Sequence, residues 1–258
     1  VSNDDHYREV INDKDKRIVT VYGCVQDIKL REELYERLKW TPYSRAEWEK
    51  AKEIIKEWDK YGEVDRAWGM VVKIQQSFGH ILHGSWMTEV YGRNSAMSWS
   101  HWQKDLEIIF KRLEGVYIEC DEALGVMKRW DSPQTVFYCD PPYVSTNQGD
   151  YGGFTEGDLR ELVGFLSNCR SSFVLSGYPN DIVPKEWLYK EVEAYQSAGA
   201  KGKTSNHDRG RKATAEELGD RKRVECIWRI DRSANVRAEL RWLLLRGQAQ
   251  GTIFDSVG

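Results

Sequence analysis

The stretch TVFYCDPPYVS, Thr135 to Ser145, is the most informative part of this sequence. Its first five residues are β-branched, aromatic or otherwise apolar, which is typical of a buried strand. The strand must end at Asp140, because the two prolines that follow lack N–H donors and have a fixed φ. Ligands bind outside the carboxyl ends of strands in open parallel sheets, so Asp140 is predicted to lie where a ligand would bind.

The step from Asp140 to Tyr143 predicts a rigid array of two hydrogen-bond acceptors beside an aromatic face. The acceptors are the Asp140 carboxylate and the Pro141 carbonyl, Pro142 stiffens the backbone, and Tyr143 supplies the ring. Such an array matches an exocyclic amino group on a planar base, which has two N–H donors. Holding both hydrogens localises the nitrogen lone pair and makes it a better nucleophile. An ordinary Asp-Pro turn at a strand end is the alternative interpretation.

Strand-like and helix-like segments alternate along the chain and indicate an α/β fold. The alternation predicts a mainly parallel sheet with an antiparallel pair at the end. Strands are expected at residues 8–13, 116–120, 135–140, 171–178, 188–195 and 223–230, and helices at 16–27, 44–62, 64–82, 102–115, 121–130 and 156–168.

The connection between the first two strands is far longer than a simple crossover. About a hundred residues separate Val10 from Val116, where a loop, one helix and a loop would suffice. The surplus predicts an inserted helical subdomain at 30–105, within a catalytic domain formed by 1–29 and 106–232 and followed by a tail at 233–258. The insertion holds seven of the eleven tryptophans, most of which are expected to form its own core.

Composition narrows the class of protein. The chain is 40% apolar and 31% charged, with a net charge of −3, so any surface that binds nucleic acid must be a local basic patch. No apolar run approaches the roughly 20 residues that cross a bilayer. Five cysteines without a Cys-x-x-Cys pair, and no secretory signal, predict a reduced, cytoplasmic location. His80 and His83 lack the further ligands of a zinc site, so no metal is expected.

The Asp-Pro-Pro-Tyr tetrapeptide is also the catalytic motif of the Dam-like DNA adenine-N6 methyltransferases, and the sequence resembles this family from Arg8 to Ile230. EVINDKDKRIVTVYGCVQD is similar to the second strand and helix of that family, and GVYIECDEALGVMKRWDSPQTVFYCDPPY resembles its third strand through its catalytic loop. TPYSRAEWEKA and RAWGMVVKIQQSFG resemble its target-recognition insertion. The resemblance implies a Rossmann-like, S-adenosyl-L-methionine-dependent methyltransferase sheet with an inserted, mainly helical target-recognition subdomain.

The resemblance also implies roles for individual residues. Asp140, Pro141, Pro142 and Tyr143 would be catalytic. Asp13 would bind the ribose hydroxyls of S-adenosyl-L-methionine, and Asp121 would lie at its adenine ring. Both acidic residues directly follow predicted strands, which suits a nucleoside site. For both, an N-cap role is the alternative, and for Asp121 it would serve the helix that follows.

The sequence departs from the family in one respect. The family's glycine-rich segment, which precedes the second strand and holds the methionine part of the cofactor, is absent from this sequence. We therefore expect the central strand and much of the cofactor pocket to come from a missing N-terminal segment or from a partner chain. A homologue that has lost catalysis is a further interpretation. Otherwise the chain is expected to be a monomer.

Double-stranded DNA is the partner that the resemblance implies. An Arg of the insertion, Arg45, Arg66 or Arg93, could read guanine edges in the major groove. The basic segment KGKTSNHDRGRK could contact phosphates or be a solvated loop. An RNA base methyltransferase is the competing function, although the long insertion argues against it. The candidate phosphate contacts are Lys201, Lys203, Arg209, Arg211 and Lys212.

Overall fold

The computed structural model describes residues 8–88, 94–144, 153–195 and 222–232. The chain divides into two compact units, one formed by the described residues up to Ala123 and the other by those from Leu124 onward. Within these ranges there are eight α-helices and two small sheets. The predicted α/β class is therefore confirmed.

The first unit contains a parallel strand pair and six helices. The strands are paired in register from Glu9 opposite Val116 to Asn12 opposite Glu119. In chain order the elements are β1 (Glu9–Asn12), α1 (Lys16–Gln26), α2 (Ile28–Lys39), α3 (Arg45–Lys56), α4 (Glu63–Gln75), α5 (Ser95–Lys104), α6 (Leu106–Arg112) and β2 (Val116–Glu119).

One apolar core joins the helices of the first unit. Leu34 and Leu38 of α2, Ile54 of α3 and Trp68 of α4 are almost completely buried in it. Residues of α1 and α6 belong to the same core, so the helices between 30 and 105 share it with their neighbours in the chain. Four of the seven tryptophans in this segment are buried, as predicted: Trp48, Trp68, Trp99 and Trp102.

Several helices differ from the prediction. Helix α2 was not predicted, and α5 begins at Ser95, in a segment where no helix was expected. Helix α4 ends at Gln75 and does not continue to residue 82, because the backbone is extended at Ser77 (φ −90°, ψ 150°), and Gly79 and His80 then have φ values of 73° and 51°, in the left-handed region. The helix predicted at 102–115 is divided at Asp105, where α5 ends and α6 begins.

The second unit contains a four-stranded mixed sheet and two helices. The strand order is β3-β4-β6-β5; β3 and β4 are parallel, while β6 runs antiparallel to both of its neighbours. The expected final antiparallel pair is thus present, but only two of the four strand pairings described are parallel. The elements are α7 (Ala123–Trp130), β3 (Val136–Cys139), α8 (Glu156–Asn168), β4 (Ser172–Gly177), β5 (Leu188–Tyr195) and β6 (Lys222–Ile230).

Strand β4 is buried on both faces and lies between β3 and β6 in the sheet of the second unit. On one face, Phe173 and Leu175 pack with Trp228 of β6 and Leu166 of α8. On the other, Val174 packs with Val136 and Ile227. Continuous apolar character is what a central strand requires. The buried serines at the two ends of β4, Ser172 and Ser176, are therefore exceptions.

Candidate active site

Asp140 lies directly after β3, as the sequence predicts. Strand β4 runs parallel to β3, with Cys139 opposite Leu175. The carboxyl ends of two parallel strands lie at the same edge of a sheet, so Asp140 and Ser176 come together there. The distance confirms this, because Ser176 Oγ lies 2.6 Å from Asp140 Oδ1.

The Asp140 carboxylate is exposed and held by two hydroxyl groups. Ser176 donates the shorter hydrogen bond to Oδ1, and the Tyr143 hydroxyl lies 3.4 Å from the same oxygen. Ser176 Oγ also lies 3.2 Å from the Cys139 carbonyl oxygen. With both contacts on Oδ1, the carboxylate has a defined orientation and Asp140 Oδ2 is left to accept another donor.

Two tyrosines form the aromatic part of the site. The Tyr143 and Tyr178 rings meet edge to face, with centroids 4.6 Å apart and planes 64° apart. Burial raises the pKa of Tyr143, and the charges of Asp140 and Glu225 raise it further. The phenol therefore stays protonated at neutral pH and acts as a donor toward Asp140.

The two prolines separate Asp140 from Tyr143 and are half-buried. Proline has no N–H, so this step adds acceptors without adding donors. Among the described residues, no donor is hydrogen-bonded to the Pro141 carbonyl oxygen. The neighbouring Cys139 thiol is not a candidate nucleophile, because burial raises its pKa to about 12 and keeps it protonated.

Asp13 and Asp121 lie in the first unit, each just past the carboxyl end of its strand, as predicted. Asn12 links the two ends: its amide donates to the Asp121 carbonyl oxygen at 3.0 Å and accepts from the Asp121 N–H at 3.1 Å. Asp13 Oδ1 accepts a hydrogen bond from the Asp15 N–H at 2.7 Å. Burial raises the pKa of Asp13. Asp15, rather than Asp13, is the N-cap of α1.

These two carboxylates suit the nucleoside part of S-adenosyl-L-methionine. Both follow the carboxyl ends of a parallel strand pair, and ligands of open parallel sheets bind outside such ends. Within the described part of the chain, Asp13 accepts a hydrogen bond through Oδ1 alone, so Oδ2 could accept from a ribose hydroxyl. The roles of Asp13 and Asp121 toward the cofactor remain predictions.

The predicted DNA contacts are only partly described. Arg45 is exposed at the start of α3, and its guanidinium lies 4.4 Å from the centre of the Trp86 ring. Arg66 instead donates to the Trp58 carbonyl oxygen at 2.7 Å, so it has a structural partner. Six further candidates lie outside the described residues: Arg93, Lys201, Lys203, Arg209, Arg211 and Lys212.

Three site residues were missed by reasoning from the sequence. Ser176 holds the Asp140 carboxylate, Tyr178 packs against Tyr143, and the charge of Glu225 contributes to the raised pKa of Tyr143. A signal was present for Ser176, which is a polar residue in a strand that is buried throughout, but not for Glu225, because β6 also carries Lys222, Arg223 and Arg229. Their proximity to Asp140 follows from strand order, which the sequence did not specify.

Comparison with protein families and with curated proteins identifies no relative of this chain. No protein-family model matches the chain, and no curated protein matches it significantly. In the described ranges, no group of three or more His, Cys, Asp or Glu side chains is arranged to hold a metal ion. No helix in the same ranges is long and apolar enough to span a membrane.

Proposed function

We propose that this chain is a DNA methyltransferase that transfers a methyl group from S-adenosyl-L-methionine to the N6 atom of adenine. The observation that carries the proposal is the Asp140 carboxylate, which Ser176 orients at a strand end directly before Pro-Pro-Tyr. A turn with only a structural role would not require an exposed, oriented carboxylate beside two aromatic rings.

The proposed chemistry uses two acceptors and one ring. Asp140 Oδ2 and the Pro141 carbonyl oxygen accept the two N–H groups of the amine, so that its lone pair is directed at the incoming methyl group. A base in this position has left the duplex, which costs a few kcal/mol, and stacking on Tyr143 offsets part of this cost. After transfer, nitrogen carries the positive charge and loses one proton, which the Asp140 carboxylate accepts.

The cofactor would supply the methyl group on a positively charged sulfur. Asp13 and Asp121 would hold its ribose and its adenine ring. Arg45 would contact the DNA; the Trp86 ring beside it restricts the motion of its guanidinium and so lowers the entropic cost of binding.

Two measurements test the proposal. The first is calorimetric titration of the folded chain with S-adenosylhomocysteine, for the wild type and for Asp13→Ala. We expect saturable binding by the wild type, weakened at least tenfold in the variant. No binding by a correctly folded wild-type chain would identify it as an incomplete or inactive homologue.

The second measurement is methyl transfer to unmodified DNA and to RNA, followed by nucleoside analysis. N6-methyladenine in the DNA is the expected product, while a methylated guanine in RNA would favour the competing function. Asp140→Ala should lower the rate by about a thousandfold or more and leave S-adenosylhomocysteine affinity unchanged. Asp181→Ala, an exposed residue of the same unit, is the matched control. Normal transfer by Asp140→Ala would refute the catalytic assignment.

A further inference from the structure

A second cavity, of about 280 Å³, lies in the second unit and includes none of the residues from Asp140 to Tyr143. It is lined by residues of the segment between β4 and β5, of β5 and of β6. The residues used below are Pro179, Pro184, Lys185, Trp187, Tyr189 and Trp228. Small-molecule sites measure about 300–1,000 Å³, so this cavity suits one ring system and is too small for a dinucleotide.

The segment between β4 and β5 is held by its own hydrogen bonds. The Asn180 amide donates to the Tyr178 carbonyl oxygen at 2.9 Å. Its oxygen accepts from the backbone N–H groups of Ile182 at 2.9 Å and Val183 at 3.1 Å. A wall fixed in this way is already formed before a ligand arrives, which lowers the entropic cost of binding.

The two tryptophan rings that line the cavity are also fixed. The Trp187 ring meets Phe173 edge to face, with centroids 4.6 Å apart. The Trp228 ring lies 6.0 Å from the Tyr189 ring, and a Cβ atom at Gly177 would come within 3.3 Å of it. Only 5% of Trp187 and 6% of Trp228 is exposed. The cavity therefore offers rigid, flat apolar surfaces, which suit a planar ring.

Both tryptophans have unused hydrogen-bond donors. Neither the Trp187 nor the Trp228 indole N–H has a partner among the described residues, and neither is fully enclosed by them. A largely buried indole N–H normally has a partner. The cavity is the surface that both rings line, so a ligand in it can accept from these donors.

The only charge in the lining is positive. Lys185 is exposed and forms no ion pair within the described ranges, and no Asp or Glu lines the cavity. The neighbouring Asp181 and Glu186 are exposed and lie outside the lining. The Tyr189 hydroxyl already donates to Glu191. The polar side chains with unused capacity are therefore donors, so a matching ligand supplies acceptors and negative charge.

We propose that this cavity binds a planar aromatic ring that carries an anionic group, the chemistry of a nucleotide. The ring packs against the indole and proline rings, and Lys185 contacts the anionic group. Two sources supply this chemistry: a free nucleotide, and a nucleotide within a DNA strand. The inference does not rest on the proposed function, because it uses no residue assigned to the cofactor or to the target amine.

The indole signals of the two tryptophans measure binding in the cavity itself. The ¹H–¹⁵N spectrum of the tryptophan-labelled chain is recorded with adenosine monophosphate, and Trp187→Phe and Trp228→Phe assign the two signals. We expect saturable shifts of both. Adenosine and inorganic phosphate each carry half of the chemistry and should bind at least about fivefold more weakly. Equal affinity for adenosine would overturn the anionic group, and equal affinity for phosphate would overturn the ring.

A charge substitution tests the role of the lysine. Lys185 is exposed, so Lys185→Gln should fold normally. It should weaken adenosine monophosphate binding about threefold to tenfold and leave adenosine binding unchanged. Lys190→Gln, at an exposed lysine of β5 outside the lining, is the matched control. Wild-type affinity in Lys185→Gln, or an equal loss in Lys190→Gln, would overturn the assignment of Lys185.

Two further titrations identify the source of the ligand and exclude the other candidate nucleoside site. Tighter binding of adenosine monophosphate than of a short single-stranded oligodeoxynucleotide indicates a free nucleotide, and the reverse indicates a DNA strand. Asp13→Ala should retain the indole shifts, and their loss in this variant would overturn the cavity as the site. Absence of shifts with both ligands would overturn the proposal, whether or not the chain methylates DNA.

Discussion

Ser176→Ala tests whether the orientation of Asp140 matters for catalysis. Ser176 is buried, and its hydroxyl donates to Asp140 Oδ1 over 2.6 Å, which is a short, charge-assisted hydrogen bond. Hydrogen bonds to charged groups contribute about 1.5–3 kcal/mol. Because the Asp140 side chain is exposed, water can replace the lost donor, and the lower part of this range applies. We expect a loss of about 1.5–2 kcal/mol in transition-state stabilisation, or about 10- to 30-fold in kcat.

The assay compares single-turnover methylation with the affinity for S-adenosylhomocysteine and with thermal stability. Ser172→Ala is the matched control, since Ser172 is buried on the same strand but accepts its hydrogen bond from the Arg232 N–H at 2.9 Å, away from Asp140. Ser176→Thr keeps a hydroxyl and should recover most of the rate. A twofold or smaller effect of Ser176→Ala on kcat would refute the reasoning. So would an equal loss of kcat in Ser172→Ala, since the effect would then come from general destabilisation.

Two further predictions concern stability. Burial lowers the pKa of Lys73 from 10.5 to about 8. Between these pH values the unfolded chain binds more protons than the folded chain, so the free energy of unfolding should rise with pH. Denaturant titrations at pH 7.5 and 10 should show this rise for the wild type and not for Lys73→Met, and an unchanged pH dependence in the variant would contradict the assignment. Arg232 donates to the carbonyl oxygens of Ser171 at 2.6 Å and Leu166 at 2.9 Å, so Arg232→Met should lower the unfolding free energy of the second unit by about 2–3 kcal/mol. Arg232→Lys should recover little of this unfolding free energy, because lysine lacks the planar guanidinium group whose N–H donors reach both carbonyl oxygens. Full recovery would show that the positive charge alone matters.

Local signals in the sequence determined much of the fold. The run from Thr135 to Cys139 was predicted as a buried strand; Val136–Cys139 form β3, but this strand is only partly buried and Tyr138 is 49% exposed. The strand ends directly before Asp140 and the two prolines, which lack N–H donors. Ser44 is the N-cap of α3, with Glu47 in the first turn, and the predicted helix begins at this residue. These features depend on neighbours within a few residues, so they are visible without a structure. The acidic residues that follow β1, β2 and β3 were identified for the same reason.

The tertiary structure alone decided which residues surround Asp140. Ser176 and Glu225 are 36 and 85 positions from Asp140 in the chain, and only the order β3-β4-β6 sets them at the same end of one sheet. Strand order depends on how the strands pack against one another and against the helices. The strands carry similar apolar residues, so the residues of one strand do not show which strand will lie beside it. The strand ending in Asp140 could therefore be predicted from sequence, whereas the hydroxyl that holds its carboxylate, and the second carboxyl group beside it, could not.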